Sequence, residues 1–257
     1  MYQKGNIKME NFKKLIEETG ETYAFNAETS VQGFVLLFEV IKEMGLNPLI
    51  TSELREGLFR LFNIELIKVP DLDNSRFIFT PNHVSDFDAI VLGLALPKTR
   101  IVAKTDWTNN EKLRKFLDLH YDLYGLDRSS LQSLHILLAD AVKYFEDKTK
   151  TNKHFLVFSQ GTISDFNNNS VERISTIAHK VAVNADVPVV NIFIEQVSLT
   201  YPTRIVFDEP IKLSRKDDFR SIWLERELVL QNSIDSARRP KLTHKHSNNN
   251  KPGDLFF

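Results

Sequence analysis

The sequence predicts an α/β fold in which a mostly parallel central sheet is flanked by helices and preceded by an N-terminal helical segment. Three observations predict it. Apolar runs of strand length alternate with stretches of helical apolar spacing between residues 62 and 236, the pattern of parallel strands joined by crossover helices. Turn residues punctuate the runs, and polar residues able to do chemistry follow several strand-like runs directly, where such sheets form their ligand crevice. With 257 residues, 42% of them hydrophobic and 26% charged, the chain can bury one substantial core without dividing into separate domains. Nine Gly and nine Pro are too few for a fibrous or disordered class.

Residues 1–61 read as helical, with periodic segments near 8–19, 29–45 and 52–61. The second carries a dense apolar face in SVQGFVLLFEVIKEMGL, broken by Gln32, Glu39, Lys42 and Glu43. Such a face suits either a membrane interface or packing on the chain's own domain. The segment 62–236 then alternates. IELIKV and RFIFT read as strands, followed by a helix through AIVLGLAL, a strand TRIVAK, a helix over EKLRKFL and a strand DLYGL. A long helix over 130–147 leads to the strand HFLVF, the loop SDFNNNS and a helix over 171–184. The strands PVVNIFI and TRIVF and an amphipathic helix over 215–235 complete the unit. Residues 237–257 form a basic tail that reads as disordered; Arg238, Arg239, Lys241, Lys245 and Lys251 meet no acid before Asp254. It suits contact with anionic lipid or plain solvation. The two histidines of THKHS lack a carboxylate companion, so no metal site is expected there.

The chemistry concentrates in FTPNHVSDFDAI. Pro81 and Asn82 end a strand, and Ser85 followed three residues later by Asp88 reads as a capping box that opens a helix. His83 then lies in the turn, where its ring can fold back toward the Asp88 carboxylate. A carboxylate that accepts from one imidazole nitrogen leaves the other free to take a proton, which is the machinery of a general base. Arg128 stands at the mouth of the long helix, with Ser129 or Ser130 as cap, and combines a planar fork of donors with free backbone amides. That is a seat for phosphate. Gly161 permits a tight or left-handed turn close to a ligand, with Gln160, Thr162 and Ser164 supplying polar groups around it. Lys104 ends another strand at the same predicted edge.

NHVSDFD resembles the Asn-His-x-Ser-x-x-Asp signature of the glycerolipid acyltransferases, the family that includes lysophosphatidic acid acyltransferase. YGLDRSS at 124–130, FSQGTIS at 158–164 and DVPVVNIFI at 186–194 are similar to that family's second, third and fourth blocks, in family order over roughly residues 60–210. The resemblance implies an acyl transfer from acyl-CoA or acyl carrier protein to a lysophospholipid hydroxyl, with no further cofactor. It also implies His83 and Asp88 as catalytic residues, and Arg128, with Gln160, Gly161 and Thr162, near the substrate; Lys104 is expected there from its place at a strand end. Two positions depart from the family's Phe-Pro-Glu-Gly-Thr-Arg-Ser: Ser159-Gln160 replaces Pro-Glu, and Ile163 replaces Arg. One negative and one positive charge are therefore missing from the third block.

A formal net charge of −1 argues against nucleic acid as the main partner. Without cysteine, the chain can form neither a disulfide nor a thiol acyl-enzyme. No stretch approaches the ~20 apolar residues of a membrane span, and MYQKGNIKMENFKKL lacks the apolar core of a secretion signal. The expectation is a cytoplasmic protein working peripherally on the inner face of a membrane. Three alternatives stay open: a hydrolase using Ser159 or Ser85, although neither lies in a Gly-x-Ser-x-Gly elbow; a lipid-headgroup-binding homologue without catalysis; and an acyltransferase with a non-glycerophosphate acceptor.

Overall fold

Five consecutive buried residues, Phe77–Pro81, form the middle strand of a seven-stranded sheet. The structure is a computed structural model that describes residues 27–84, 87–96, 99–147, 153–161, 170–171, 174–195, 202–233 and 243–244. In chain order the elements are α1 (Ala27–Glu43), α2 (Thr51–Leu61), β1 (Ile64–Ile67), β2 (Phe77–Pro81), α3 (Phe87–Ala95) and β3 (Thr99–Lys104). Next come α4 (Thr105–Thr108), α5 (Glu111–His120), β4 (Asp122–Leu126), α6 (Leu131–Glu146), β5 (His154–Leu156) and β6 (Ser170–Val171). The last are α7 (Ile177–Ala185), β7 (Val189–Ile194), β8 (Thr203–Phe207), α8 (Phe219–Ser233) and β9 (Thr243–His244).

The sheet order is β1-β8-β7-β2-β5-β3-β4, parallel throughout except where β7 meets β8. That exception follows from chain length. Residues 195–202 are too few for a crossover, which takes a dozen or more residues, so β8 runs back beside β7. β5 is the shortest member, three residues held between β2 and β3. One further ladder bond, Val157 N–H to Phe79 O at 3.0 Å, follows it before the chain turns away.

Strand alternation divides the core into two layers. Phe77, Phe79, Leu156, Val190 and Ile192 join Leu37, Ile41, Leu54, Leu58, Ile90 and Leu117 from the helices on one face. Ile78, Phe155 and Val189 meet Leu137, Ala141, Phe145, Val181 and Trp223 on the other. Each fully buried side chain of this size contributes about 1.5–3 kcal/mol. The apolar face of α1 packs inward: Leu37, Val40 and Ile41 are buried, and Ile41 meets Gly57 of α2. Trp223 closes a buried polar circuit. Its Nε1–H donates to Thr80 O (3.1 Å), Thr80 Oγ1 donates to Asn191 Oδ1 (2.8 Å), and Asn191 Nδ2 donates to Trp223 O (3.2 Å).

The helix expected over 171–184 begins instead at Ile177, because Ser170–Val171 pair as a short strand with Thr243–His244 in the tail. The last helix begins at Phe219 rather than at 215, since Ser214 and Asp217 close a turn just before it; it is described to Ser233. The expected helix over 8–19 lies outside the described residues, as does the tail apart from Thr243 and His244. No helix among the described residues is long and apolar enough to cross a membrane.

Candidate active site

Where β2 ends, Asn82 continues its pairing with β7 through a side chain. Its Nδ2 donates to Ile194 O at 2.9 Å, its Oδ1 accepts from Ile194 N–H at 2.7 Å, and its own N–H donates to Ile192 O at 3.2 Å. An amide carries both an acceptor and donors, so Asn82 can copy a backbone pair after Pro81. The next residue is thereby fixed at the rim of the sheet. His83 folds back as its spacing predicts, with Nδ1 3.1 Å from Asp88 Oδ2. The same oxygen accepts from Val84 N–H at 2.6 Å. A carboxylate can only accept, so Nδ1 of the neutral ring carries the proton and Nε2 is left to receive one. Exposure separates the roles. The His83 side chain is 16% accessible, whereas Asp88 is fully buried. Ser85, the expected cap, lies outside the described residues, and α3 begins at Phe87.

The segment after β5 curls over this histidine. Phe158 stacks on the imidazole with ring centroids 4.1 Å apart and planes at 28°. The Gln160 carbonyl oxygen accepts the main-chain N–H of His83. Gly161 N–H donates to Phe158 O at 2.9 Å, closing a turn in which Gly161 takes φ +70°, a value that glycine adopts without a Cβ penalty. Ser159 is buried and its hydroxyl has no hydrogen-bond partner among the described residues. Thr162 and Ser164 lie outside the described residues.

β4 and β3 bring the basic residues to the same edge. Arg128 is half-buried two residues beyond β4. Its turn is rigid: Asp127 Oδ1 accepts from Ser129 N–H (2.9 Å) and Oγ (2.6 Å), and Ser130 Oγ caps α6 by accepting from Ser133 N–H (3.1 Å). The bonds from Ser129 hold the Asp127 carboxyl below its usual value. Lys104 is exposed at the end of β3, immediately before α4. Between β2 and β4 lie three strand spacings, roughly 14 Å at ~4.8 Å each. Among the described residues no three metal-ligating side chains converge.

A histidine and acid at this rim, in this sheet, coincide with a family model: residues 61–195, just over half of the chain, match the model named Acyltransferase. The chain belongs to the acyltransferase family. It is an acyltransferase. Its fold is similar to the crystal structure of the 1-acyl-sn-glycerophosphate (LPA) acyltransferase PlsC from Thermotoga maritima. The TM-score is 0.50 at 15% identity, over 90% of this chain and 96% of that one. At this identity the likeness is one of fold. No curated protein matches the acyltransferase sequence significantly.

In the sequence Asn82 reads as a strand terminator and Phe158 as the end of a strand. In the acyltransferase structure both hold the rim beside His83. The available signal for Asn82 was its place after Pro81, which cannot donate to a ladder. For Phe158 there was none, because its contact with His83 spans 75 residues of sequence and depends on β5 lying next to β2.

Proposed function

We propose that this acyltransferase moves a fatty acyl group from a thioester, acyl-CoA or acyl carrier protein, to the free hydroxyl of a lysophospholipid, 1-acylglycerol 3-phosphate. His83 Nε2 takes the hydroxyl proton as the oxygen attacks the thioester carbonyl carbon. The tetrahedral intermediate collapses with cleavage of the carbon–sulfur bond, and the imidazolium returns the proton to the departing thiolate. Asp88 keeps the ring in the tautomer this requires and stabilises its charge. Proton transfer by a placed side chain contributes about 10²–10⁴-fold, and positioning contributes much of the remainder. The observation that carries this reading is the His83–Asp88 pair at 3.1 Å, with the acid buried and the ring accessible.

Arg128, with Gly161 and Thr162, would hold the phosphate of the acyl acceptor, and Lys104 would add positive charge at the rim. The three-strand interval sets a requirement, since the arginine side chain and the acyl acceptor must together span it. A second reading rests on Gln160 and Ile163, which replace the two charges of the third block: the acyl acceptor carries a hydroxyl but a headgroup other than glycerophosphate. Work at a membrane surface is supported by the exposed apolar side chains Leu49, Ile50 and Leu119, which flank the contact of Thr51 Oγ1 with His120 Nδ1 at 2.9 Å; the inner face is part of the proposal.

A donor-by-acceptor transfer assay on purified protein tests the proposal. We expect His83→Ala to lose transfer while its circular dichroism stays unchanged. Arg128→Ala should chiefly raise KM for phosphorylated acyl acceptors, by roughly tenfold or more, consistent with the loss of a charge-assisted contact. Wild-type turnover by His83→Ala would refute the general base, and equal KM values for Arg128→Ala would refute the phosphate anchor.

A further inference from the structure

We infer that Phe158 and Gln160 are positioning residues that clamp His83, and that the neutral carboxamide at 160 spares the imidazole a further negative charge beside that of Asp88. The inference rests on the general-base reading of His83. It begins with which atoms are already engaged. Only the carbonyl end of a glutamine side chain can accept from a backbone N–H, so the Gln160 oxygen is committed to His83. Gln160 is 5% exposed, and its place is fixed by the turn that Gly161 closes onto Phe158. The ring of Phe158 covers one face of the imidazole. Asp88 holds Nδ1 from α3, and Asn82 anchors the preceding residue to β7. Backbone, ring face and ring edge are each held by a different part of the chain.

Among the described residues, the groups seen against the imidazole differ in charge. Asp88 on α3 is anionic, while the segment after β5 contributes an aromatic ring and a carboxamide, neither of which titrates. The resembling family carries a carboxylate at the position of Gln160. A carboxylate there would accept the same N–H but would add a second negative charge beside the ring, and a nearby negative charge favours the protonated imidazole. The amide therefore spares the imidazole the additional negative charge that a carboxylate would bring.

Three variants of the full-length protein test this: Gln160→Leu, Gln160→Glu and Phe158→Leu. Each is assayed for transfer from acyl-CoA to 1-acylglycerol 3-phosphate across the pH range, and the His83 imidazole resonance, identified by its absence from His83→Ala, is titrated by NMR. We expect Gln160→Leu and Phe158→Leu to lower kcat by about 10- to 100-fold with KM for the acyl acceptor nearly unchanged, as misplacement of a reacting group does. We expect Gln160→Glu to move both the NMR midpoint and the acid limb of the kcat profile upward by about one pH unit. The NMR titration needs no substrate, so it decides the clamp even if Gln160→Leu fails to fold. An unmoved midpoint in Gln160→Glu, or a Gln160→Leu effect confined to KM, would overturn the inference. Activity in His83→Ala would instead overturn the reading on which it rests.

Discussion

Asp88 illustrates how much one buried atom can do. Its Oδ2 accepts from both His83 Nδ1 and Val84 N–H, so it orients the ring and pins the turn that carries it. In Asp88→Asn the amide can present its oxygen to only one arrangement of donors, and if its nitrogen faces the ring it stabilises the tautomer with the proton on Nε2. We expect kcat to fall by about 10²–10⁴-fold with the fold retained, measured as steady-state transfer alongside near-UV circular dichroism. A loss below tenfold would mean that Asp88 is a capping residue alone. This pair was readable in the sequence because it is local: five residues separate base and acid, and the strand-to-helix turn brings them together. The hold on His83 by Gln160 was not readable, since its partner lies 77 residues away and meets it only through sheet order.

Among the elements, α3 is placed by a close approach to its neighbours. A Cβ at Gly93 would lie 2.5 Å from the Tyr121 ring and 2.8 Å from Ile101 Cδ1. Tyr121 cannot retreat freely, because its hydroxyl donates to Ile90 O at 3.2 Å. Gly93→Ala should therefore cost about 1–3 kcal/mol by overpacking, read as a lower urea midpoint at unchanged slope. Because Asp88 lies in the first turn of α3, transfer activity should fall as well. A variant as stable and active as wild type would show that the helix shifts without consequence. The elements themselves were largely legible from period and punctuation. The exceptions have physical causes: α4 is a single turn, too short to show a period, and α7 starts late because Ser170–Val171 are drawn into pairing by residues far along the chain. Strand order was not legible, since apolar runs state that a strand is buried but not beside which neighbour.

At the scale of the whole molecule, the N-terminal helices are joined to the α/β unit through a titratable contact. His120, at the end of α5, meets Thr51 Oγ1 at 2.9 Å. Burial pushes its pKa below the ordinary 6.5, against a smaller upward effect from a bond with the Pro48 backbone. A histidine with a depressed folded pKa binds protons more readily once released. Its contribution is thus full above about pH 6.5 and is lost as pH falls below that value toward its folded pKa. We expect hydrogen exchange of the Thr51–Leu58 amides to accelerate relative to the sheet between about pH 7.5 and 5.5, and His120→Gln to abolish that dependence. Exchange that varies identically in both proteins would remove His120 from the account.

β5 enters the ladder for only three residues and then releases the chain. Because side chains alternate along a strand, a slip of one residue would exchange the faces on which its neighbours present themselves. The stopping point of a strand thus works as a gauge that meters how far Phe158 and Gln160 travel before they turn. Changes within 153–157 that lengthen or slip this strand would cost the enzyme its turnover well before they cost it its shape.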